Sequence, residues 1–382
     1  MACALALTAG PGATGTTVNG VLGQRAAPPV LRVYVIGRVA VHYSKAGADA
    51  PPVEDRNRDG IPDYVQQAAL AAIKALAVYR SSGFQVPARV EIRIKRLRGD
   101  FGSTNPRSKP MVTIGNRLAQ SMDPYGRLRI TVAHELFHLV ELTYLPASRL
   151  PKWIAEGVAV AMTQHAFPHI PDPTAATYER LWVAPSAHSL FADGEYGQLD
   201  YGSAVWWRYL AGLSPRLLPA FFAALHRTPL DTVRAGIHAL EDALTVSKQP
   251  SLPDVYLRFE WHLTQGRVWA TPRPRSARRL LPTGPLSGTL PALSSELVAF
   301  RLRDRTDDLE LDTGQSGLSV ELLGARPGEL GTLICGRRDR SACHLGLTTH
   351  APIVAIELVN PTMRPVVYQL HFPSSIERAR GA

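Results

Sequence analysis

The sequence predicts an α+β protein: a mixed sheet, then a mainly helical part, then a C-terminal all-β, sandwich-like domain. Three observations predict it. Leu31 to Tyr43, Arg89 to Lys95 and Met111 to Ile114 alternate or run apolar as strands do. From Leu128 to about Gln265 the pattern is mainly helical. Beyond Ala270-Thr-Pro-Arg-Pro-Arg-Ser-Ala-Arg-Arg279, short apolar runs are separated by turn residues, the pattern of a small sandwich. With 382 residues and 45% hydrophobic content, the chain can bury more than one core. The expected divisions are a leader remnant (1–27), a main domain (28–269), a Pro/Arg-rich linker (270–285) and an accessory β domain (286–375).

The elements follow in chain order. Ala2 to Ala9 is apolar and ends in small residues, as the tail of an export signal does, but it lacks a basic start and is short. Asp55, Asn57, Asp59 and Asp63 fall at positions one, three, five and nine of a loop with Gly60 at six, the first part of an EF-hand calcium loop. Position twelve is Gln66, where that loop needs a bidentate Glu. The same residues equally describe a turn in which Asp63 caps the next helix, Tyr64 to about Tyr79. Asp123-Pro-Tyr-Gly126 is a turn ahead of a helix over Leu128 to Glu141; Pro146 and Pro151 interrupt the chain, and Lys152 to Gln164 reads as the next helix.

The first of these helices carries His134-Glu135-Leu136-Phe137-His138, the second Trp153-Ile154-Ala155-Glu156-Gly157. His134 and His138 lie one turn apart on one face, so both imidazoles can reach one metal ion, with Glu135 beside them as a general base. The seventeen residues between His138 and Glu156 allow a second helix to return a carboxylate to the same point. Two imidazoles and one carboxylate leave the fourth position of a tetrahedral Zn²⁺ open, the pattern of a catalytic centre. For an oxyanion donor the segment Asp193 to Ser203 offers Tyr201 ahead of Tyr196; Tyr201 equally reads as packing at a helix start.

HELFH followed by WIAEGVA resembles the gluzincin group of zinc metallopeptidases, in which a glutamate from a downstream helix is the third ligand, over roughly residues 128 to 162. The resemblance implies His134, His138 and Glu156 as zinc ligands and Glu135 as catalytic base. The metzincin pattern fails, because Leu139-Val140-Glu141 follows the pentapeptide and Tyr144 stands where a third His would be. Met111-Val-Thr-Ile-Gly-Asn116 lacks the carboxylate by which aminopeptidase N relatives hold a free amino terminus, which favours an endopeptidase over an exopeptidase. Val41 to Tyr64 is also similar to the entry region of bacterial secreted metalloproteases, extending the resemblance to about residues 39 to 162 and implying a structural role for calcium. Rival readings are an exopeptidase or other hydrolase on the same metal centre and a silent surface or binding protein, against which the intact Glu135 argues.

Cys335 and Cys343 are spaced for a disulfide across a hairpin or stand as two free thiols, with Cys3 apart. His165, His169, His226 and His371 form no ligand spacing. The net charge of +10 is spread along the chain without interleaved aromatics, which reads against nucleic acid and leaves attraction to a cell envelope open. No run is long enough to cross a membrane. The expected partner is a protein or peptide substrate, and the expected location is secreted or cell-envelope.

Overall fold

The computed structural model describes residues 31–105, 111–118, 123–147, 150–182, 199–227, 233–264, 278–279, 286–290, 293–301, 306–312, 318–323, 331–334, 342–348, 353–362, 364 and 366–371. The fold is mixed α+β. It divides into two compact units, residues 1–150 with 159–173, and residues 151–158 with 174–382.

The first unit opens with a hairpin, β1 (Leu31–Ile36) and β2 (Val39–Ser44), where the apolar pattern reads as one strand. Gly37 makes the difference: its φ of 58° reverses the chain, and Leu31 pairs with Ser44 and Ile36 with Val39. There follow α1 (Asp63–Ser81), β3 (Val90–Lys95), β4 (Gly102–Asn105), β5 (Met111–Gly115) and α2 (Gly126–Glu141). The strand order is β1-β2-β3-β5-β4, with β2, β3 and β5 parallel and an antiparallel strand at each edge. One face of this mixed sheet carries Val39, Val41, Val90, Ile92, Ile94, Val112 and Ile114, each at most 1% exposed, and this is the core of the unit. Asp63 does not cap α1. It is the first helical residue, preceded by Pro62, which makes no side-chain cap bond; a carboxylate there still complements the helix dipole.

α3 (Lys152–Ala166) crosses the boundary between the units. The second unit continues through α4 (Pro173–Trp182), α5 (Leu199–Gly202), α6 (Ala204–Leu213), α7 (Leu217–Arg227), α8 (Val233–Val246) and α9 (Leu252–Thr264). Its helical part closes on Trp206, Trp207, Phe221, Phe222 and Phe259, all fully buried. The strands β6 (Arg278–Arg279), β7 (Leu286–Leu290), β8 (Ser294–Arg301), β9 (Thr306–Asp312), β10 (Ser319–Leu323), β11 (Gly331–Ile334), β12 (Ala342–Thr348), β13 (Ile353–Asn360) and β14 (Val366–His371) make two sheets, ordered β11-β10-β13-β8-β6 and β12-β9-β14-β7. Arg278 and Arg279, inside the expected linker, run parallel to β8 as a short strand. The rest of 270–285, the leader, Cys335 and Tyr196 lie outside the described residues. Among the described residues no helix is long and apolar enough to cross a membrane.

Candidate metal centre

α2 forms because Leu128, Val132, Leu136, Phe137 and Val140 recur at helical spacing and bury completely or nearly so. Its rotation is set from α1. The buried Tyr79 donates to the Ala133 carbonyl at 2.9 Å, and its ring meets Phe137 edge-on at 5.1 Å; Phe84 meets the same ring at 5.2 Å. Burial pushes the Tyr79 hydroxyl well above the ordinary tyrosine range, so it stays a neutral donor. With that face fixed inward, His134 and His138 come to the half-buried side of the helix, their rings 4.8 Å apart at 90° and their Nε2 atoms 3.2 Å apart. Two ligand nitrogens about 2.0–2.1 Å from a tetrahedral zinc stand roughly 3.3 Å apart, so the pair fits such an ion.

Two further groups orient this turn of α2. His138 Nδ1 lies 2.7 Å from Oε2 of Glu141, a side chain 6% exposed, and donation to that carboxylate leaves the Nε2 lone pair for a metal. Glu135, 3% exposed, faces the edge strand β4. Thr104 Oγ1 lies 2.8 Å from Glu135 Oε2 and 2.8 Å from the Glu135 carbonyl oxygen. The strand approaches so closely at Gly102 that a Cβ there would stand 2.7 Å from Glu135 Cγ and 2.9 Å from its Oε1.

α3 carries the third candidate ligand, Glu156, near its start, where Ile154 and Ala155 donate to the Pro151 carbonyl at 3.0 Å. Next to Glu156, Gly157 is the point of close packing: a Cβ would stand 2.7 Å from Trp207 Cδ1 and would also strike Ser203 Oγ. Ser203 and Trp207 both reach the Trp153 carbonyl, at 2.6 and 3.2 Å, and Trp153 stacks on Trp207 with centroids 5.2 Å apart. Among the described residues, His134, His138 and Glu156 are the one group of three or more His, Cys, Asp or Glu whose ligand atoms all lie within 4.8 Å of one another. The donor set of two imidazoles and a carboxylate suits zinc with one position open.

Other expected residues are placed as follows. Tyr201 lies on α5 with its ring 5.5 Å from that of Tyr178. In the Asp55 to Asp63 loop, Asp55 accepts from the backbone N–H of Asp59 at 3.2 Å and of Gly60 at 2.9 Å, and Asp59 from that of Ile61 at 2.9 Å; Gln66 also donates to Asp59. These are the bonds of a self-closed turn, and Arg58 and Gly60 take positive φ within it. Sequence reading passed over Glu141, Thr104 and Gly102. Glu141 carries a local signal, since it follows His138 by three residues on one helix. Thr104 and Gly102 carry none, because β4 is four residues of Gly, Ser, Thr and Asn without apolar alternation.

No protein-family model and no curated protein matches the sequence. Solved structures similar to parts of it include the pre-peptidase C-terminal domain of a collagenase from Bacillus anthracis, at 12% identity and TM-score 0.23, covering 26% of this chain and 98% of that one. A de novo designed double-stranded β-helix is similar at 15% identity and TM-score 0.17, covering 24% of this chain and all of that one. A family GH115 4-O-methyl-α-glucuronidase with specificity for decorated arabinogalactans is similar at 10% identity and TM-score 0.19, covering 69% of this chain and 46% of that one. Likeness at these TM-scores carries no argument about fold family or activity.

Proposed function

We propose that the chain is a secreted, zinc-dependent endopeptidase of gluzincin type. The observation that carries this reading is the convergence of His134, His138 and Glu156 within 4.8 Å, with Glu135 on the same helix turn. When bound, zinc supplies a Lewis acid that polarises a carbonyl and brings water to ionise near pH 7. The chain's own residues do the rest. Glu135 takes the proton of the attacking water on a carboxylate oxygen and delivers it to the leaving amine. Its burial keeps competing water away from that oxygen. Glu141 holds His138 in the tautomer a metal requires. Tyr201 is the side chain assigned to steady the oxyanion, and the two sheets of residues 278–371 are assigned to a sandwich-like accessory domain.

The test is cleavage of casein by zinc-loaded wild type and by Glu135→Ala, with fragments identified by mass. Internal cuts by the wild type that fall by a factor of about a thousand or more in the variant, both proteins holding about one zinc, are expected. Trimming from a chain end would move the reading to an exopeptidase. Zinc without cleavage would favour a silent binding protein, and no zinc uptake would end the proposal.

A further inference from the structure

We propose that Thr104 is a positioning residue for Glu135, holding its carboxylate through the edge strand β4; the catalytic part of this assignment rests on the function proposed above. Three observations carry it. Thr104 Oγ1 lies 2.8 Å from Oε2 of a side chain that is buried to 3% exposure. The same hydroxyl lies 2.8 Å from the carbonyl of the same residue, so it touches Glu135 at both ends. Two residues earlier, Gly102 brings the strand backbone so near that a methyl group would collide with Glu135 Cγ and with Thr131 Cγ2, at 2.7 and 2.9 Å. β4 is in turn anchored, with Gly102 paired to Ile114 and Thr104 to Val112, two core residues of β5. The carboxylate therefore lies between its own helix and a strand that the sheet holds in place.

A threonine hydroxyl has one proton and two lone pairs. With acceptors on both sides, one hydroxyl ties the Glu135 carboxylate to the carbonyl of the same residue. Water in the same place would satisfy the carboxylate without fixing its direction. A base that must face an attacking water loses rate when its side chain wanders, while substrate binding is little changed.

The experiment has two arms. The first is a double-mutant cycle read by denaturant unfolding of wild type, Thr104→Val, Glu135→Ala and the double variant. The expected result is that the change in unfolding constant of the double variant departs at least about threefold from the product of the single changes. Independent effects would mean that the hydroxyl proton serves the carbonyl alone, and they overturn the proposal. The second arm uses a fluorogenic peptide built on a mapped cleavage site. Thr104→Val should lower kcat by about tenfold or more with KM within about twofold, and Thr104→Ser should restore kcat to within about threefold of wild type. Unchanged kcat in Thr104→Val at one bound zinc, or failure of serine to rescue, overturns it. If the wild type cleaves nothing, the proposed function fails, and the cycle still decides whether Thr104 holds Glu135.

Discussion

Glu141 sits on His138 as part of the helix that carries it, 2.7 Å from Nδ1 and almost wholly withdrawn from water. A buried carboxylate in that place fixes the ring orientation and raises the basicity of the opposite nitrogen. Glu141→Gln keeps the shape and removes the charge. Zinc affinity, measured by competition with a chromophoric chelator, should fall by about 10-fold to 100-fold. An affinity within about twofold of wild type would reduce Glu141 to a packing residue. The residues of the candidate site differ in how well the sequence announces them. His134, Glu135 and His138 are legible because a helix makes residues one turn apart neighbours whatever the rest of the chain does. Glu141 obeys the same rule at three residues' spacing and is equally legible once the ring nitrogens are considered separately. Thr104 is not, since its place beside Glu135 depends on which strand ends up at the edge of a sheet.

Helix α3 shows why Glu156 is followed by glycine. Glycine inside a helix costs about 1 kcal/mol relative to alanine, yet here a methyl group would meet the indole of Trp207 and the hydroxyl of Ser203. That hydroxyl is itself held by the carbonyls of Trp153 and Asp200, at 2.6 and 2.7 Å, so it cannot swing aside without breaking a bond. Gly157→Ala should therefore destabilise the protein by about 1–3 kcal/mol in denaturant unfolding, despite alanine's better helix propensity. A gain in stability would show that α3 and α6 separate easily. The long helices were readable from apolar periodicity, and α2 and α3 begin and end within two residues of the expected limits. The hairpin of β1 and β2 was not, because Gly37 and Arg38 interrupt an apolar run by only two residues. Nor were β4, β7 and β11, whose short or polar sequences gain strand geometry from the partners they pair with; β12 was passed over although Cys343, Leu345 and Leu347 alternate in it.

For the molecule as a whole, a ligand bound only by the folded state adds to its stability. At free zinc about 100 times the dissociation constant, unfolding free energy should rise by about 2.7 kcal/mol, and a chelator should remove that gain. His134→Ala should abolish the zinc response while Glu135→Ala keeps it, which separates the ligand from the base. A zinc response surviving in His134→Ala would place the ion elsewhere. The chain has six tryptophans, and two of them form a nearly parallel pair: Trp153 and Trp207, inclined by 23°. Indoles so close share their excitation, and shared excitation gives a circular-dichroism couplet whose sign and size depend on their mutual angle. Trp153 is on the first turn of the helix that bears Glu156, so a rotation of that turn relative to Trp207 changes the couplet. The unlabelled protein thus carries its own optical gauge of the movement of the helix that bears Glu156.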